Sequence, residues 1–146
     1  MGTYGYISII AMLCYGFMLL MFLAAKRNKI INSFLVVLTG LLFWTGGSAF
    51  MRAQLWPGCE FWYQVSLLGI LLLPYAYCRF ILAFGGKKNG APGKIYLAVM
   101  LLCFWLNVQY GIFLESPNVV DKNGISTFVY EIKPAIVVFF IPAGIF

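Results

Sequence analysis

Ile30-Ile31-Asn32-Ser33-Phe34-Leu35-Val36-Val37-Leu38-Thr39-Gly40-Leu41-Leu42-Phe43-Trp44-Thr45-Gly46-Gly47-Ser48-Ala49-Phe50 contains no charged side chain. Lys26-Arg27-Asn28-Lys29 precedes it and Met51-Arg52 follows it. At about 1.5 Å of rise per helical residue, a run of about 20 residues crosses a hydrocarbon core of about 30 Å. Inside that core every backbone N–H and C=O must be satisfied within the segment or in a closed barrel. Barrel strands alternate polar and apolar residues over about 10 positions. This stretch does not alternate, so its reading is a transmembrane helix.

Working outward, three further runs have the same character: Tyr6 to Ala25, Phe61 to Phe84 and Ile95 to Leu114. From Pro134 the chain is apolar again to Phe146. Thirteen residues, 134–146, reach only about 20 Å as a helix. A carboxylate ending there would sit in hydrocarbon, so this run is read as the start of a fifth span in a longer protein. The expected fold class is all-α: a polytopic transmembrane helix bundle forming one domain over 1–146. Its spans are expected at about 6–25, 30–50, 61–84, 95–114 and, in part, 134–146.

Composition agrees. Of the 146 residues, 63% are hydrophobic and 10% charged. Soluble domains carry about 25% charged residues, so this chain has too little polar surface to coat a soluble globule.

The net charge of +6 is not a nucleic-acid patch, because the basic residues are dispersed among short loops. One set of loops holds Lys26, Arg27, Lys29, Lys87, Lys88 and Lys94 without an acid. The other holds Arg52, Lys122 and Lys133 with all four acids, Glu60, Glu115, Asp121 and Glu131. By the positive-inside rule the first set is cytoplasmic and the N-terminus is outside, in a cell or inner membrane. The inner basic residues are expected to attract anionic lipid headgroups at about 1 kcal/mol each. The loop from Glu115 to Lys133 would then be external. Its Val119-Val120, Asp121-Lys122-Asn123-Gly124 and Ile125 to Glu131 segments read as strand, turn and strand, with Asn-Gly supplying the turn.

Several chemistries are excluded for these residues alone. There is no His, and no Asp, Glu or Lys within a span. Proton relays, ion-coupled transport and retinal-type linkages draw on such groups. No nucleotide loop, metal-ligand spacing or nucleophile–base pair is present, so no catalytic role and no cofactor is expected. Cys14, Cys78 and Cys103 lie in apolar runs, where a thiol behaves as a small hydrophobe. Only Cys59 is in a loop, which gives no disulfide framework.

Few polar residues remain inside the spans. Arg79, near the end of the third, is read as snorkelling to the headgroups. Pro74 removes one helical hydrogen bond mid-span, and a kink is expected there. Asn107, Gln109 and Tyr110 lie toward the outer end of the fourth span. Asn107 and Tyr110, three apart, are expected to share a face. With Gln64 and Ser66 on the third they either line an outward pocket or hydrogen-bond between helices. Gly46-Gly47-Ser48-Ala49 reads as a close-packing patch, within the bundle or in a dimer. Trp56, Phe61, Trp62 and Tyr63 read as an interfacial aromatic belt.

Phe43-Trp44-Thr45-Gly46-Gly47-Ser48-Ala49-Phe50-Met51, then Phe61-Trp62-Tyr63, then Leu73-Pro74-Tyr75-Ala76-Tyr77-Cys78-Arg79-Phe80 resemble a known pattern. It is that of the seven-helix N-terminal sensor region of many bacterial histidine kinases and some diguanylate cyclases. Such regions show a Trp late in the second helix, aromatics opening the third, and a Pro followed by Phe-rich sequence before a basic loop. They are N-out, with a longer outer loop after the fourth helix. The chain differs from them at Arg52, where an acid is common, and at Asn107-Val108-Gln109-Tyr110, which lacks the usual His. The resemblance implies a membrane sensor region that binds a small ligand or senses the membrane from outside. Its candidate ligand-binding residues are Asn107, Gln109, Tyr110, Gln64 and Trp44. Two other readings fit the residues: an accessory subunit of a larger membrane complex, or a transporter fragment. A homodimer or larger membrane assembly is the protein partner these readings imply.

Overall fold

A computed structural model of the chain describes residues 3–86, 90–112, 118–122, 125–129 and 133–134. Four helices long and apolar enough to cross a membrane are present among them. They are α1 (Thr3–Ala24), α2 (Lys29–Arg52), α3 (Cys59–Phe84) and α4 (Ala91–Tyr110).

Local chemistry sets their ends. Asn28 caps α2: its Oδ1 accepts from Ile31 N at 2.7 Å, satisfying one of the first-turn donors that a helix leaves open. Pro92 sits in the first turn of α4, where a missing N–H costs nothing. Gly111 ends α4 in the left-handed conformation (φ 58°), and its N–H donates to Asn107 O at 2.8 Å. The fourth helix therefore stops at Tyr110, short of the expected Leu114. α3 continues through Pro74, so the missing N–H costs one bond and not the helix. The hydroxyls on α2 bond back within their own helix, Ser33 to Lys29 O, Thr39 to Leu35 O and Thr45 to Leu41 O, at 2.8–2.9 Å. This keeps their donors satisfied in an apolar medium.

The helices pack in chain order, each antiparallel to the one before. α1 lies on α2, where Phe22 meets Phe34 edge-on with centroids 4.9 Å apart. α2 and α3 form the closest pair. Val37, Leu73 and Ala76 are buried between them, with Phe80 packed alongside. α4 lies on the opposite side of α3, where Tyr96 and Met100 bury against Leu67, Leu71 and Tyr75. One end of this bundle carries Lys26, Arg27 and Lys29 and is called the basic end. The other carries the 53–58 connection and the C-terminus of α4 and is called the far end.

The α2–α3 contact is made by backbone. A Cβ on Gly47 would lie 2.6 Å from Ser66 N and 2.8 Å from Trp62 O. A Cβ on Gly69 would press on Trp44 N and lie 2.8 Å from Gly40 O. Only glycine permits this approach, and Ser66 Oγ uses it to donate to Trp44 O at 3.0 Å. The small-residue patch therefore works inside the bundle.

After α4, β1 (Asn118–Lys122) and β2 (Ile125–Val129) pair antiparallel, with Asn118 opposite Val129 and Lys122 opposite Ile125. Lys133 Nζ donates to Gly111 O at 3.1 Å and so returns the chain to the C-terminus of α4. A cation there also complements the helix dipole. The Asn123-Gly124 turn and the fifth segment beyond Pro134 lie outside the described residues.

Candidate functional site at the far end of the bundle

Three consecutive residues near the start of α3 point to different neighbours. Tyr63 is buried in the bundle. Trp62 packs edge-on against Phe50 of α2, with centroids 4.6 Å apart. Gln64 is half-buried, and its Oε1 is enclosed with no donor among the described residues.

Asn107 is the one candidate that α4 buries, at 3% exposure. The reason is the seam along α4. Tyr96, Met100, Cys103 and Asn107 recur at helical spacing on the face toward α3. Tyr96 and Met100 cluster with Leu67, Leu71 and Tyr75 of the antiparallel α3, and two turns beyond Met100 bring Asn107 toward the far end of the pair. Gln64, near the start of α3, belongs to the same far end of the bundle.

The other candidates separate from them. Tyr110 is 71% exposed, so its spacing of three from Asn107 does not give it the same environment. Tyr110 is the last residue of α4, beside the Gly111 cap, where the helix ends. Gln109 is exposed. The Trp44 ring faces outward, and its carbonyl accepts from Ser66. Arg79 is half-exposed in the basic-end half of α3.

A second feature was not expected. A groove of about 720 Å³ lies between α1 and α3 over the face of α2. Met12, Gly16 and Phe17 of α1, Phe43 and Gly46 of α2 and Trp62 of α3 are among its walls. Its volume falls in the range of about 300–1,000 Å³ usual for small-molecule sites. The lining is almost wholly apolar. The signal was present as Gly16, which antiparallel pairing across the short 25–28 connection brings to the level of Leu42, about one turn from Gly46, but one glycine per helix is common in membrane spans.

None of these positions provides a nucleophile–base pair, and among the described residues no group of His, Cys, Asp or Glu is placed to hold a metal ion.

Fold and site together define a multi-pass α-helical membrane protein. The family model for the N-terminal 7TM region of histidine kinase matches residues 7–145, and the chain belongs to that family. It is a membrane-spanning sensor region, a non-catalytic part of a signal-transduction protein. No curated protein and no solved structure matches the chain.

Proposed function

We propose that this chain receives a signal at the extracytoplasmic side of the membrane and passes it through the bundle to a cytoplasmic kinase output. The family match carries the sensing role. The distribution of basic loops supports an outward N-terminus and an extracytoplasmic far end. On that side Asn107 and Gln64 supply enclosed polar groups for a small ligand, while Gln109, Tyr110 and Trp44 form the approach around them. The pair β1–β2, held near α4 through Lys133, stands beside the same end.

The close α2–α3 contact supports transmission. Two helices locked through Gly40, Gly47 and Gly69 move as one body, so a ligand wedged against α4 displaces α4 relative to that body. Anionic lipid at Lys26, Arg27, Lys29, Lys87, Lys88 and Lys94 would anchor the cytoplasmic side.

The test uses the native protein in membrane vesicles with radiolabelled ATP. The reading expects incorporation of phosphate into a His, and a basal level that changes at least threefold in Asn107→Leu or Gln64→Leu. A native protein that takes up no phosphate and has no output domain would remove the reading, and an accessory-subunit role would replace it.

A further inference from the structure

The charged groups at its two ends limit how much hydrocarbon a helix can cross. Lys29 and Arg52 bracket α2, and at about 1.5 Å per residue they stand about 34 Å apart along its axis. α4 is bracketed more closely. Lys94, fully in its first turn, is exposed. At the other end Gly111 turns the chain out of the helix at φ 58°, and Lys133 Nζ donates to Gly111 O at 3.1 Å. An ammonium held at that carbonyl is costly to carry into hydrocarbon. Gln109 and Tyr110, exposed in the last turn, suit the same boundary. From Lys94 to Gly111 the helix rises only about 25 Å. A hydrocarbon core is about 30 Å thick, so α4 is short of it by about 5 Å while α2 exceeds it by about 4 Å.

The two helices are also held differently. α2 is locked to α3 through backbone, at Gly47 and Gly69, and through the Ser66 Oγ bond to Trp44 O. α4 meets α3 through side chains, with Tyr96 and Met100 against Leu67, Leu71 and Tyr75. Packed side chains allow small sliding of one helix on another, which a backbone contact resists.

We propose that hydrocarbon thickness is itself a stimulus for this chain, acting on α4 against the α2–α3 pair. A helix longer than the core relieves mismatch by tilting, and a shorter one by snorkelling or by thinning the lipid around it. In a thin bilayer the α2–α3 pair tilts and α4 fits. In a thick bilayer the pair stands upright and both lysines of α4 are drawn toward hydrocarbon. Lys94 can reach back to the headgroups along its flexible stem, whereas Lys133 is held at Gly111. α4 therefore shifts relative to α3 as thickness changes. The output of this shift rests on the sensory reading above, and the stimulus needs no bound molecule.

The experiment places the native protein in fluid phosphatidylcholine vesicles whose monounsaturated chains have fourteen, eighteen or twenty-two carbons. Spin labels on a background with the cysteines replaced by serine report two distances by double electron–electron resonance. Ile81→Cys with Leu102→Cys joins exposed positions of α3 and α4, and Ile81→Cys with Phe43→Cys joins exposed positions of the locked pair. Across the series the first distance should change by about 2 Å or more and the second should hold. Phosphate incorporation by the protein without labels should change about fivefold or more over the same series. Lys94→Leu frees the first turn back to Ala91, adding about 4–5 Å of apolar helix, and should move the response toward longer chains. Lys133→Met removes the limit at the other end, should move it the same way, and serves if Lys94→Leu fails to fold. A constant α3–α4 distance, equal changes in both distances, or a response that neither variant moves overturns the proposal. So does phosphorylation that Asn107→Leu alters and thickness does not, in which case the sensory reading stands. If no phosphate is incorporated in any vesicle, the sensory reading fails, and the α3–α4 distance alone decides whether thickness moves α4.

Discussion

Gly46 and Gly47 are adjacent in sequence, yet a methyl group added to one should have an effect opposite in sign to the same addition at the other. At Gly47 the new Cβ would lie 2.6 Å from Ser66 N, 2.8 Å from Trp62 O and 2.9 Å from Ser66 Cα, where ordinary contact begins near 3.4 Å. All three atoms are α3 backbone and cannot rotate away. The helices must separate by several tenths of an ångström. Overpacking of this kind costs about 1–3 kcal/mol. Separation also stretches the Ser66 Oγ to Trp44 O hydrogen bond, now 3.0 Å, worth about 0.6–2 kcal/mol between helices. Alanine returns at most about 1 kcal/mol through helix propensity. Gly47→Ala is therefore expected to destabilise the bundle by about 1–3 kcal/mol. At Gly46 the Cβ meets only the flexible Met12 side chain at ordinary distance, so Gly46→Ala should be neutral or stabilising by up to about 1 kcal/mol. The assay is a thiol-reactive fluorogenic dye during a thermal or SDS ramp, reading the part-buried Cys78 and Cys103 as they open. The midpoint should fall for Gly47→Ala and hold or rise for Gly46→Ala. Equal losses in both variants, or none in either, would refute the assignment of the two glycines to different neighbours.

Other outcomes follow from the same contacts. Gly69→Ala should destabilise at least as much as Gly47→Ala, because its Cβ would meet the backbone of both Trp44 and Gly40; the same unfolding ramp measures it. Ser66→Ala removes one interhelical hydrogen bond and should lower stability by about 0.6–2 kcal/mol, read in an SDS titration. Lys133→Met removes the donor to Gly111 O and should speed amide exchange in β1 and β2, followed by hydrogen–deuterium mass spectrometry, while the midpoint of the helical bundle moves little.

The spans were legible because a charge-free run of membrane length has few alternatives in lipid. Their relative orientation was legible as antiparallel, since short connections allow little else. The helix faces were harder. In a soluble helix polar residues mark the exposed side, but α1 and α4 are apolar on both sides, and lipid contact and helix contact look alike. That is why the sequence did not show that Asn107 is buried and Tyr110 exposed. The end of α4 was readable in principle from Gly111, but the apolar Ile112, Phe113 and Leu114 that follow it masked the stop. The Gly46-Gly47 pair announced close packing without saying that each glycine faces a different helix. Trp62 read as part of an aromatic belt because nothing in a single sequence shows whether an indole N–H has a partner.

The central claim is an outward far end, and it is tested by labelling in intact cells. The native protein, with its cysteines replaced by serine, carries either Leu55→Cys at the far end or Lys94→Cys at the basic end. Both positions are exposed. With a membrane-impermeant maleimide, the account predicts that the position-55 variant labels in intact cells and the position-94 variant labels only after permeabilisation. The reverse pattern would place the basic loops outside and contradict the proposed direction of sensing.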